Sequence, residues 1–194
     1  MNKTPKNGSI LLMLIPAFLV SLLGCDDTDF DRVVLDPINC VSGDIDIHER
    51  DLHLVINGRF AGIELDCIKA EGDCDVDIEA EDIRLINCRE CIRAGGRGTA
   101  EVTLTALEDI ECDAVGDGVS ARNNAVIDLN AIENIAIFSI EGSGIRAEDM
   151  STVELDTVTG TCFIDGPAGD IVQDDTAVVD TDGCNEVDFV EDVD

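Results

Sequence analysis

Gly118-Val119-Ser120-Ala121, Val126-Ile127-Asp128-Leu129 and Ile135-Ala136-Ile137, followed by Gly144-Ile145-Arg146-Ala147 and Val153-Glu154-Leu155, decide the fold. Each segment alternates inward apolar and outward residues with the period of two that a half-buried strand requires. Working outward, the first phrase recurs as Cys91-Ile92-Arg93-Ala94 and, more loosely, as Gly62-Ile63-Glu64-Leu65, with spacings of 29, 27 and 26 residues. The second recurs as Val76-Asp77-Ile78 and Val102-Thr103-Leu104, whose last residues step by 26, 25 and 26 to Leu129 and Leu155. A further step of 26 lands on Val179-Asp180-Thr181. A third apolar cluster completes each unit: Ile83/Leu85, Ile110/Cys112, Ile135/Ile137 and Thr161/Phe163.

Gly, Asn and Asp separate these segments and supply turn conformations. No segment carries a sustained helical stripe. A fixed period of this size is the signature of a solenoid, in which one supersecondary unit stacks on the next. The sequence therefore predicts an all-β chain, a right-handed parallel β-helix of about 5–6 coils with three short strands per coil. A β-sandwich would also alternate, but it gives no reason for one phrase to return every coil. Stacked at about 4.8 Å, such coils make a rod roughly 25–30 Å long. Over residues ~38–182 the coil period and the Gly-Ile/Val-x-Ala phrase resemble the pectin-lyase-like β-helix family. That resemblance implies architecture first. The family includes polysaccharide lyases, glycosidases and esterases, and also many non-enzymatic surface proteins.

Stacked coils turn equivalent residues into columns. The outward position of the second strand reads Asp77, Thr103, Asp128, Glu154, Asp180, and the next reads Glu79, Thr105, Asn130, Asp156, Asp182. Seven of these ten are acidic and none is basic. The first strand is expected to present Glu64, Arg93, Ser120 and Arg146. Like charges stacked at strand spacing repel, so the acidic face is either a solvated, aggregation-resistant surface or a collector of divalent cations such as Ca²⁺. Two local stretches resemble calcium loops, and each lacks a required residue. Asp73-Cys74-Asp75-Val76-Asp77 has Ile78 where an EF-hand needs glycine, and Asp180-Thr181-Asp182-Gly183-Cys184-Asn185 has Val178 where a first carboxylate belongs.

The N-terminus reads as an address. Lys3 and Lys6 precede an uncharged run from Ile10 to Leu23, which is the layout of a secretory signal peptide. Leu22-Leu23-Gly24-Cys25 resembles the lipobox of bacterial lipoproteins. The resemblance implies cleavage before Cys25 and acylation of its sulfur, with attachment to the bilayer through more than one chain. The chain then divides into a signal peptide at 1–24, an acidic tether at 25–37 and a β-helix domain with an acidic C-terminal cap at 38–194. Removing the signal peptide takes away two lysines and no acid, so the net charge of −31 becomes about −33. Phosphate contacts need a basic surface, so nucleic acid is not an expected partner. An acidic surface attracts cations and basic partners instead.

Eight cysteines remain beyond Cys25: Cys40, Cys67, Cys74, Cys88, Cys91, Cys112, Cys162 and Cys184. An even number in an exported chain reads as disulfides. Cys40 with Cys67, Cys88 with Cys112 and Cys162 with Cys184 lie about one coil apart and suit bridges between neighbouring coils, which leaves Cys74 for Cys91. Cys88-x-x-Cys91 has no second half of a zinc site and no surrounding βαβ pattern, so a structural role is expected.

Catalysis finds little support. Carboxylate pairs carry no information among 43 acids. Of the polygalacturonase signatures, Asn-Thr-Asp, Gly-His-Gly and Arg-Ile-Lys are missing, and Asp-Asp occurs only at Asp26-Asp27 and Asp174-Asp175. Arg93 or Arg146 are the nominees for the arginine base of a pectate lyase, but a stacked, salt-bridging column with Glu64 explains them more cheaply. His48 and His53 have no nucleophile in a recognisable motif. The expected role is a non-enzymatic envelope lipoprotein serving structural, adhesive or partner-binding display. The alternative is a small polysaccharide-binding or polysaccharide-degrading protein.

Overall fold

The structure, a computed structural model, describes residues 32–184 and 186–189. The expected signal peptide, Cys25 and the expected tether as far as Asp31 lie outside the described residues, as do Asn185 and the last five positions. Everything regular among the described residues is β-strand.

The chain winds as a parallel solenoid of about six turns. It begins with β1 (Arg32–Leu35), the long β2 (Ile38–Asn57) and a short hairpin of β3 (Arg59–Phe60) and β4 (Ile63–Glu64). Next come β5 (Ile68–Cys88), β6 (Ile92–Gly95), β7 (Glu101–Ala106), β8 (Ile110–Ala114), β9 (Val119–Ala121), β10 (Val126–Ala131) and β11 (Ile135–Ser139). The last turns hold β12 (Ile145–Ala147), β13 (Thr152–Thr157), β14 (Thr161–Asp165), β15 (Ile171–Gln173), β16 (Val178–Gly183) and β17 (Glu186–Phe189). In the two early turns β2 and β5 run round the corners without a break, where the sequence suggested separate short strands.

Three faces result. The first stacks the starts of β2 and β5 with β6, β9, β12 and β15. The second stacks the middles of β2 and β5 with β7, β10, β13 and β16. The third stacks β1, the ends of β2 and β5, and then β8, β11, β14 and β17. All of these pairings are parallel.

Alternation sends one side of every strand into a single core. Ile68, Ile92, Val119 and Ile145 form one buried column, Val76, Val102, Ile127 and Val153 a second, and Ile83, Ile110 and Ile135 a third. Burying a side chain of this kind contributes roughly 1.5–3 kcal/mol, and each column repeats that gain once per coil. The stack, rather than any single coil, is the stable unit.

Several details differ from the sequence reading. Gly62-Ile63-Glu64-Leu65 is not a coil. It belongs to the β3–β4 hairpin, where Ile63 is 64% exposed. The true counterpart of Cys91-Ile92-Arg93-Ala94 is Cys67-Ile68-Lys69-Ala70, so Lys69 and not Glu64 heads the first-face column. On the third face Ile135 pairs with Cys162 and Ile137 with Ile164, so Thr161 and Phe163 point outward. A slip of one residue exchanges the faces of a strand. On the second face a bulge sets Gly183 rather than Asp182 opposite Asp156. Arg32–Leu35, read as tether, pairs with His53–Ile56 and belongs to the solenoid.

All eight cysteines are bridged, as Cys40–Cys74, Cys67–Cys88, Cys91–Cys112 and Cys162–Cys184. Only the last pairing agrees with the sequence reading. Cys67–Cys88 and Cys91–Cys112 span 21 residues, less than one period. They cross the interior of one coil, from its first face to its third. Stacked cysteines such as Cys67 and Cys91 instead share a face as neighbours.

The same interior slot explains two glycines. At the position of Cys67 and Cys91 the later coils carry Gly118 and Gly144. A Cβ on Gly118 would run into Ile137 Cγ2 and stand 2.6 Å from the Gly144 carbonyl oxygen; one on Gly144 would stand 2.5 Å from Ile164 Cγ2. A disulfide fills the slot in the early coils, and an isoleucine leaning on a glycine fills it in the later ones.

Candidate interaction faces

The second face gathers carboxylates because its outward residues stack in register. Asp46, Asp77, Thr103, Asp128, Glu154 and Asp180 form one continuous column. Beside it Asp44, Asp75 and Glu101 form another over the first three turns. Asp75 titrates above the usual carboxylate range, first because it is partly desolvated and then because Asp44, Asp77 and Asp46 crowd it. Asp128 is raised likewise, by burial first and then by Glu154, Glu101 and Asp156. Its Oδ1 is buried with no hydrogen-bond partner.

Cations enter this face at its start. Arg50 Nη2 lies 2.7 Å from Glu79 Oε1, and His48 places Nδ1 3.3 Å from Glu79 Oε2 and Nε2 3.4 Å from Asp77 Oδ2. Hydrogen bonds from Arg50 and then His48 hold Glu79 below its ordinary pKa. His53, one corner further along β2, lies 2.8 Å from Asp82 through Nδ1. That hydrogen bond is the main reason its pKa is raised.

The first face is mixed in charge. Its outward column reads Asn39, Lys69, Arg93, Ser120, Arg146 and Val172. Two positions before the inward residue of each strand stand Asp66, Glu90, Asp117 and Ser143. Asp66, whose side chain is 3% exposed, receives a two-pronged contact from Arg89 Nε at 2.9 Å and Nη2 at 2.8 Å. Arg146 Nε donates to Asp117 Oδ2 at 2.8 Å and Nη2 to Ser143 Oγ at 3.1 Å. Such forked contacts are stronger than neutral hydrogen bonds. Glu90 has no such partner. Its Oε2 is buried and unbonded, and burial, followed by the nearby Asp66, pushes its pKa up. Arg93 and Arg146, nominated as lyase bases, are thus engaged with Asp66 at 3.8 Å and with Asp117.

Two apolar features were missed in the sequence. Leu107, Ile132 and Val158 are partly exposed at the corner after the second strand, each one coil beyond the last, as the Ile132 N–H to Ala106 and Val158 N–H to Ala131 bonds show. Their register was visible, since each follows the last inward residue of its second strand. A pocket of about 420 Å³ lies beneath the hairpin, lined by Pro37, Ile38, Phe60, Leu65, Lys69 and Arg89 among others. No periodic signal could have revealed it, because the hairpin interrupts the repeat.

Over Asp73–Asp77 and Asp180–Gly183 the suspected calcium loops are strand. Asp75 and Asp77 project from β5, Asp73 Oδ1 accepts the Thr99 N–H at 3.3 Å, and Cys74 is bridged. Asp180 and Asp182 lie on β16, where Asp180 Oδ1 accepts the Asp182 N–H at 2.9 Å. Cys88 and Cys91 belong to different bridges and are not a redox pair.

The class of protein these features define is a disulfide-stapled parallel β-solenoid with its charge segregated by face. No family model, curated protein or solved structure matches the chain. The likeness to pectin-lyase-like repeats is therefore one of coil architecture and not of shown membership.

Proposed function

We propose that the chain is a non-enzymatic lipoprotein of a bacterial cell envelope, displaying its solenoid as a rigid acidic surface for a basic partner. One observation carries this reading: the acidic column of the second face stays in register along the stack, interrupted only by Thr103, while the arginines of the first face are tied to acids of their own. A rigid scaffold with one-signed charge steers oppositely charged partners. Four disulfides agree with an oxidising compartment, and the lipobox-like Leu22–Cys25 supplies the anchor.

The test has two arms. Membrane fractionation and lipid labelling of the full chain should show an anchored species that Cys25→Ser releases. A soluble form without Cys25 should capture a basic envelope protein, with binding that weakens as salt rises and falls when Asp77, Asp128 and Glu154 are neutralised together. Capture indifferent to salt and to those substitutions would sink the acidic-face reading. The alternative, polysaccharide binding, draws its support from the hairpin pocket, where Phe60 and Leu65 stand beside Lys69 and Arg89. A glycan array signal lost on Phe60→Ala would favour it.

A further inference from the structure

Asp46 and His48 are two apart in β2 and so project from the same face, and Asp77 of β5 stands directly opposite Asp46. One ligand atom from each of the three lies within 4.8 Å of the others. A metal ion bonded at about 2.0–2.2 Å holds neighbouring ligand atoms roughly 3.4 Å apart in tetrahedral geometry. Closing the set therefore asks only for small side-chain rotations at surface positions.

His48 supplies a second and separate argument. Both of its ring nitrogens face carboxylates, Nδ1 toward Glu79 at 3.3 Å and Nε2 toward Asp77 at 3.4 Å. A neutral imidazole owns one N–H, so it can donate to only one of the two carboxylates, and the other contact calls for a proton or a metal cation on the second nitrogen. A metal cation at Nε2 meets that need and leaves Nδ1–H to donate to Glu79. Metal-binding histidines are oriented in this way by a carboxylate on the far nitrogen. Here that carboxylate is itself held by Arg50 at 2.7 Å. With Asp44 and Asp75 alongside and Arg50 already committed, the surroundings favour a divalent charge.

We propose that Asp46, His48 and Asp77 form a binding site for a divalent transition-metal ion, oriented through Glu79 and Arg50. The imidazole selects an ion of the zinc class over calcium, which prefers six to eight oxygens. The site does not depend on the anchor or on any protein partner.

Zinc titration of the full chain by calorimetry, with millimolar calcium present throughout, tests it. One equivalent should bind. His48→Gln and Asp77→Asn should each weaken binding at least tenfold, a loss typical when a ligand is removed. His53→Gln should leave it unchanged, although His53 also faces two carboxylates, Asp82 and Glu81. Unaltered melting curves without metal would confirm that the surface variants fold. With Cu²⁺ as probe, nitrogen hyperfine coupling should appear and vanish in His48→Gln. Zinc binding that calcium abolishes, that survives His48→Gln, or that His53→Gln weakens equally would overturn the proposal, as would no binding at all.

Discussion

Replacing the Cys91–Cys112 bridge tests the interior slot directly. The bridge spans 21 residues, and closing a loop of that length in the unfolded chain is worth about 3 kcal/mol in the chain-entropy account. Two double variants lose that contribution equally. Cys91→Ala with Cys112→Ala also leaves the slot underfilled, at a further cost of about 1–2 kcal/mol for the cavity. Cys91→Gly with Cys112→Ile copies the arrangement of Gly118 with Ile137 one coil later, where the isoleucine γ-methyl occupies the space a Cβ would take. Glycine costs about 0.5–1 kcal/mol in backbone entropy relative to alanine, so the Gly/Ile variant should be the more stable of the two by roughly 1 kcal/mol. Urea unfolding followed by circular dichroism measures both. With a slope near 2 kcal/mol per molar, the Gly/Ile midpoint should fall by about 2 M from wild type and the Ala/Ala midpoint somewhat further. If Ala/Ala equals or exceeds Gly/Ile, or if neither loses more than about 1 kcal/mol, the slot reasoning is wrong.

Gly118→Ala should lower stability by about 1–2 kcal/mol, because overpacking outweighs the small entropic benefit of alanine; an unchanged urea midpoint would contradict it. Asp66→Asn removes the charge and one of the two acceptor oxygens of the forked Arg89 contact and should cost about 1–3 kcal/mol, read as a drop in melting temperature that Arg89→Gln shares in part. Glu90, Asp75 and Asp128 have folded pKa values above the unfolded ones, so the native state binds more protons than the unfolded state and stability rises as pH falls from neutral through those folded values. Glu90→Gln should therefore raise the melting temperature at pH 7, and the advantage should shrink as pH falls toward the ordinary carboxylate range, where wild-type Glu90 is itself protonated. The opposite holds for His53, whose raised pKa adds stability below its unfolded value that is lost as pH climbs through the folded one. An NMR titration should place it above 6.5, and Asp82→Asn should bring it back down.

Much of the architecture was legible because a solenoid writes its packing into the chain twice, as alternation within a strand and as a period between coils. Val102, Ile127 and Val153 stack as their spacing required, and the acidic column from Asp77 to Asp180 followed from the same register. The reading failed where the period is broken. The β3–β4 hairpin adds residues between two turns and displaced the first-face assignment from Lys69 to Glu64. The β16 bulge and the length of the turn before Thr161 shifted register by one residue, which in a strand reverses inside and outside. The Asp46–His48–Asp77 cluster was visible as residues but not as neighbours.

The sequence by itself determined which residues stack, since equivalent positions in successive coils meet wherever the period holds. Only the tertiary structure decided what meets across the interior. Cys67 reaches Cys88, Cys91 reaches Cys112, and Gly118 receives Ile137, because the coil's cross-section folds its first face onto its third within less than one period. Those distances depend on how sharply each corner turns, and corner geometry leaves no periodic trace in the chain.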